Sequence, residues 1–110
     1  MRKALGLTLI LATVLFSCNK PPEACIELDS NSVSAGTPIT FSAECSKRSL
    51  SYIWSFEGPT GAPENDSLRS EEVFSMAFSV TGSYTVKLEA YERYSWNGQM
   101  GETSTTFTVN

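Results

Sequence analysis

The sequence contains no histidine. That absence removes histidine-based acid–base catalysis, a Ser-His-Asp triad and the commonest protein metal ligand. Basic residues are also scarce: 8 lysines and arginines face 12 aspartates and glutamates, a formal charge of −4. No nucleic-acid partner is expected, since phosphate binding draws on clustered Lys and Arg. The same shortage argues against gripping anionic lipid headgroups through a basic patch. Long apolar runs are missing beyond the first 17 residues, and cysteines number only 3. The 110 residues leave room for one domain.

The apolar run that does occur stands at the front. Arg2 and Lys3 precede an apolar stretch from Ala4 to Phe16. A charged start followed by a run this short reads as a helical secretory signal peptide over residues 1–17, too short for a stable membrane span. Its removal takes two basic residues with it and leaves a formal charge of about −6. Leu15-Phe16-Ser17-Cys18 resembles a lipobox, the processing site of bacterial lipoproteins. Leu15, Ser17 and Cys18 match that pattern, and Phe16 is bulkier than its usual occupant. The resemblance implies a diacylglycerol on the Cys18 thiol, a new N-terminus there, and lipid anchorage in the cell envelope, at a bacterial outer membrane. Buried acyl chains, at about 0.8 kcal/mol per methylene, would hold the protein on the membrane. Residues 18–23, with Pro21 and Pro22, read as a short extended tether.

From residue 24 to 110 the pattern changes to β. Polar residues alternate with β-branched and aromatic ones between recurrent turn signals. Strands are expected at Ala24–Asp29, Pro38–Cys45, Leu50–Phe56, Glu71–Phe78, Ser83–Arg93 and Gln99–Val109. Glu57–Ser70, with two glycines and two prolines, reads as a loop with room for a short edge strand. Asn97-Gly98 is a strong hairpin signal, because a type I′ turn needs positive φ at both central residues. A two-residue turn there sets Leu88 against Phe107, Val86 against Val109, Glu89 against Thr106 and Arg93 against Glu102. Apolar pairs then share one face and polar pairs the other. Trp54, two residues from Tyr52 and from Phe56, has the place of a core anchor, and Gly82-Ser83-Tyr84 that of a tyrosine corner.

Thr40-Phe41-Ser42-Ala43, Tyr52-Ile53-Trp54-Ser55-Phe56 and Phe78 through Leu88 together resemble a PKD (polycystic kidney disease) domain. The resemblance spans nearly all of the mature chain. It implies an all-β, immunoglobulin-like sandwich outside the cytoplasm, serving protein or carbohydrate contact, or spacing. Ser55 and Glu57-Gly58 replace the acidic turn of the family pattern, and Met76 stands where a histidine is usual. No calcium site built from that turn is therefore expected.

With Cys18 lipidated, Cys25 and Cys45 remain as an even pair in an oxidising compartment, and a disulfide is expected. If 25 faces 45 in a regular ladder, Leu28 falls beside Ser42 rather than Phe41, so the apolar residues miss each other unless a bulge intervenes. Free thiols or a metal pair are the alternative, but a zinc site would lack its remaining ligands.

Tyr91, Tyr94 and Trp96 are the candidate ligand-binding residues. Exposed on a sandwich end, they could stack on sugar rings or anchor a protein. Alternatively Tyr94 and Trp96 continue the inward parity of Val86, Leu88 and Ala90 and cap the core. Glu64-Asn65-Asp66 offers oxygen ligands of the kind that hold Ca2+, though such a trio is more often a solvated turn. No metal or other cofactor is assigned. Glu71 and Glu72 point to opposite faces of an extended strand and cannot flank one glycosidic bond, so no enzyme is expected. Two functions remain: an anchored, non-enzymatic module for an unknown protein or glycan, or a structural spacer with no specific ligand.

Overall fold

A computed structural model describes residues 20–110. The expected signal peptide and Cys18 lie outside the described residues. The domain is an all-β sandwich. Its strands are β1 (Glu27–Leu28), β2 (Ser32–Val33), β3 (Ile39–Ser42), β4 (Ser51–Glu57), β5 (Leu68–Arg69), β6 (Val73–Met76), β7 (Gly82–Arg93) and β8 (Asn97–Val109). One sheet has the order β1-β3-β6 and the other β2-β8-β7-β4-β5.

The alternation read from the sequence sets the two inner faces. Tyr52, Trp54 and Phe56 on β4 point inward, as do Tyr84, Val86, Leu88 and Ala90 on β7. From the opposite sheet come Ile39, Phe41 and Phe74. Phe41 sits at the centre, stacked on Phe74 at 5.0 Å and edge-on to Phe56 and Phe107 at 5.4 and 5.6 Å. Burial of these rings is the main stabilising term, with a further contribution from edge-to-face geometry. The tyrosine corner is present: the Tyr84 hydroxyl donates to the Val80 carbonyl at 2.6 Å. Gly58 lies so close to the Tyr84 ring that a Cβ there would collide with it.

Cys25 and Cys45 form the disulfide, with Cα atoms 5.4 Å apart. The ladder beside it differs from a regular 25–45 register by one residue, pairing Leu28 with Phe41 and Glu27 with Ser42. Both apolar residues thereby reach the core. The mismatch is absorbed beyond Ser42, where the chain turns and Ser46 Oγ binds both backbone groups of Cys25. The expected long first strand is only two residues, and the chain then changes sheets: β2 runs parallel to the end of β8. The loop expected at Glu57–Ser70 contains a 3-10 turn (Pro63–Asp66) and the edge strand β5.

The β7–β8 register corrects the expectation from Asn97-Gly98. Tyr84 faces Phe107, Val86 faces Thr105 and Leu88 faces Thr103, a slip of four residues from the expected pairing. Arg93 pairs with Asn97, not Glu102, and Glu89 faces Glu102. An even slip leaves every side chain on its expected face, which is why face patterning could not detect it. The observed register carries the ladder down to Gly82–Val109, pairing the tyrosine-corner segment that the expected one would leave open. Gly98 does adopt positive φ (81°), but after the reversal, which falls at Ser95 and Trp96.

Candidate functional site

The reversal between β7 and β8 is built from Tyr94, Ser95 and Trp96. Ser95 and Trp96 hold φ of 61° and 59°, a conformation that costs a non-glycine residue on the order of 1 kcal/mol or more. Contacts to the start of β4 hold it. The Trp96 amide donates to Ser51 Oγ (3.1 Å), Ser51 Oγ donates to the Arg93 carbonyl (2.6 Å), and the Trp96 indole N–H donates to the Tyr52 carbonyl (2.9 Å). Pinned in this way, Trp96 remains 47% exposed and Tyr94 71% exposed. They do not cap the core: the positive φ values end the strand parity that would have turned them inward.

Between them and the β3–β4 connection lies an open groove of about 510 Å³, walled by Tyr94, Trp96, Ser49, Tyr52 and Glu72. Trp96 and Ser70 also line an adjoining apolar hollow of about 350 Å³, floored by Ile53 and Leu68. The indole thus stands as a ridge between two depressions. A short polar chain crosses the larger one: Ser49 Oγ donates to the Tyr52 hydroxyl (3.3 Å), which donates to Glu72 Oε2 (3.2 Å). Burial holds the Tyr52 phenol above the ordinary tyrosine range, and the Glu72 carboxylate adds to the effect. Tyr52 therefore stays a neutral donor. An exposed indole and phenol beside hydroxyls and a carboxylate supply the stacking faces and hydrogen-bond partners that a sugar requires.

Tyr91 is not part of this groove. It lies on the outer face of the second sheet, opposite Ser51 and Met100, and its hydroxyl donates to Glu89 Oε1 at 3.2 Å. Burial, then the Glu89 carboxylate, pushes its phenol up. The structure brings Tyr94 and Trp96 together and leaves Tyr91 apart. Ser49, Tyr52, Ser70 and Glu72 were not singled out in the sequence as site residues. They come from two separate stretches of chain, 49–52 and 70–72, and no local pattern connects them.

Glu71 and Glu72 lie just ahead of β6 rather than in the strand expected to hold them, and take different partners, Arg69 and Tyr52. Glu71 receives two hydrogen bonds from Arg69, the shorter 2.5 Å, and this pairing lowers its carboxyl to about 2. Arg69 in turn lies over the Phe74 ring at 4.6 Å and closes that side of the sandwich. In the 3-10 turn, Glu64 is buried with Oε1 unpartnered, and Asn65 Nδ2 donates to the Pro59 carbonyl at 3.0 Å. Asp66 is exposed. Among the described residues no three His, Cys, Asp or Glu side chains converge as a metal site.

A disulfide-clipped, immunoglobulin-like sandwich with a fixed aromatic turn at one end defines the class of this domain. Within that class the chain belongs to the PKD domain family, whose pattern matches residues 24–109. A solved structure described as showing the basis for promiscuous specificity in carbohydrate-binding modules of the β-sandwich superfamily shares the fold, with a TM-score of 0.69 and 17% identity. The match covers 84% of this chain and 35% of that one, so this chain spans about a third of its length. No curated protein matches the sequence.

Proposed function

We propose that this chain is a non-enzymatic module, tied to a bacterial membrane by lipid on Cys18, that binds carbohydrate in the groove at Tyr94 and Trp96. The observation that carries the reading is the Trp96 indole. It is exposed, yet its own hydrogen bond to the Tyr52 carbonyl, that of the Trp96 amide to Ser51 Oγ and the positive φ of its backbone hold it in one orientation. Presenting a rigid ring avoids the entropy loss of ordering a mobile one on binding. The Glu72 carboxylate beside it, holding the Tyr52 hydroxyl, can accept from ring hydroxyls. The fold shared with carbohydrate-binding modules supports the same reading. Lipid on Cys18 rests on the Leu15–Cys18 motif.

Retention on a panel of immobilised polysaccharides tests the site. Trp96→Ala is expected to weaken binding about tenfold or more, as for a central aromatic anchor, while Tyr91→Ala leaves it unchanged. Equal retention of wild type and Trp96→Ala on every polysaccharide bound would remove the groove from consideration. Intact mass of the membrane-extracted protein tests the anchor, and an unmodified Cys18 thiol would refute it.

A further inference from the structure

The groove opens at the same end of the sandwich as the N-terminal tether. Glu23 and Lys47 exchange backbone hydrogen bonds of 3.0 and 2.9 Å, Arg48 Nε donates to the Pro21 carbonyl at 3.1 Å, and Pro22 is buried. Gly101 approaches the Pro22 carbonyl too closely for any Cβ. The chain is therefore fixed to the domain from Pro21 onward. From Lys47 and Arg48 the backbone passes directly into Ser49 and Leu50, which wall the groove, and the Leu50 amide binds the Tyr91 carbonyl just before the aromatic turn. Asn110, the Gly36 turn and the tyrosine corner occupy the opposite end.

Four residue steps separate Cys18 from the buried Pro22, a reach of at most about 14 Å. If Cys18 is lipidated, the groove end cannot swing far from the bilayer surface. The side chains exposed there suit that position: Leu50, Tyr94, Trp96 and Met100 are four of the six large exposed apolar residues among those described. Tyr and Trp settle at the headgroup level of bilayers, where one edge is apolar and the other wet. Charge is distributed to match. At this end Lys47 and Arg48 each lie 4.0 Å from Glu23 Oε2, so basic and acidic groups offset one another beside the tether. A tether end whose charges offset one another meets an anionic surface with little repulsion.

We infer that the carbohydrate taken by this groove is the uncharged sugar headgroup of a membrane glycolipid. This rests on the Cys18 anchor and on the glycan reading of the groove. Glu72 is the charged side chain lining the larger groove, which no Lys or Arg lines, and Arg69 of the adjoining hollow is already held by Glu71, so a headgroup bearing a carboxylate or phosphate is disfavoured. Serine and tyrosine hydroxyls suit a neutral polyhydroxyl ring.

The test uses the lipidated full-length protein in phosphatidylethanolamine/phosphatidylglycerol vesicles, with and without monoglucosyl diacylglycerol. Iodide quenching reads the exposed indole, because Trp54 is fully buried and Trp96 is the other tryptophan. Trp96→Phe assigns the quenchable component. The expected result is a severalfold loss of iodide access when the glucolipid is present, absent when a glucuronosyl lipid replaces it. Equal protection without glucolipid would overturn the inference in favour of contact with the bare bilayer. Unchanged access in all vesicles would overturn it by placing the groove away from the membrane. If the protein still binds soluble polysaccharide in that last case, the glycan site stands and only its orientation falls.

Discussion

Trp54→Ala is expected to leave little folded protein at 37 °C. Trp54 is fully buried, contacts Phe74 edge-on at 5.2 Å and Phe41 at 6.1 Å, and donates its indole N–H to the Glu71 carbonyl at 2.8 Å. Truncating a buried Trp costs about 3–5 kcal/mol, from lost transfer energy and the cavity left behind. A domain of this size is typically stable by about 5–15 kcal/mol, so one substitution removes much of the margin. Trp54→Phe keeps a ring in the cavity but loses the hydrogen bond, and should cost about 1–3 kcal/mol. Urea unfolding followed by circular dichroism should rank the midpoints wild type, Trp54→Phe, Trp54→Ala. Coincident midpoints for all three would show that the core closes around the site without its largest ring.

Removing the disulfide is the other large effect. The bridge joins residues separated by 20 positions, and loop-closure entropy puts its contribution at about 3 kcal/mol. Replacing both Cys25 and Cys45 by alanine should lower the unfolding free energy by about that amount, and reduction of the wild type should lower it by a similar amount. The loss should also have a location. Without the bridge, this segment keeps the two-residue ladder of β1 to β3, the hydrogen bonds between Asp29 and Thr40, the Ser46 contacts to Cys25 and the Glu23–Lys47 backbone pair. Amide exchange should therefore accelerate first across residues 23–29 and spread to the Ser49–Leu50 wall of the groove. Uniform acceleration over the whole domain would instead show that the bridge acts only on the unfolded chain.

How much of this was legible in the sequence depended on the range of the signal. Period-two alternation placed Trp54, Val86, Leu88 and Phe107 on inner faces correctly, because each strand reports its own faces. Register is a relation between strands. Asn97-Gly98 suggested one register, and the fixed Trp96 turn with a longer ladder imposed another. The disulfide followed from counting cysteines, but its accommodation at Ser46 did not, because a turn that takes up one residue leaves no periodic trace. β2 has two residues and no pattern to read. The aromatic pair of the groove was visible in composition. Its other walls, Ser49, Tyr52 and Glu72, meet only when the β3–β4 connection, the approach to β6 and the β7–β8 turn converge.

The parallel join of β2 to β8 also has a consequence in time. Ser32 pairs with Thr108 and Val33 with Val109, while the Asn110 carbonyl accepts from Ala35 and its amide donates back to Val33. Phe107 and Val109 complete the core from the same segment. The front of the domain thus depends on residues far along the chain, and closing so long a loop is slow compared with local contacts. A ribosome still holding residues 107–110 holds a chain that cannot finish its sandwich.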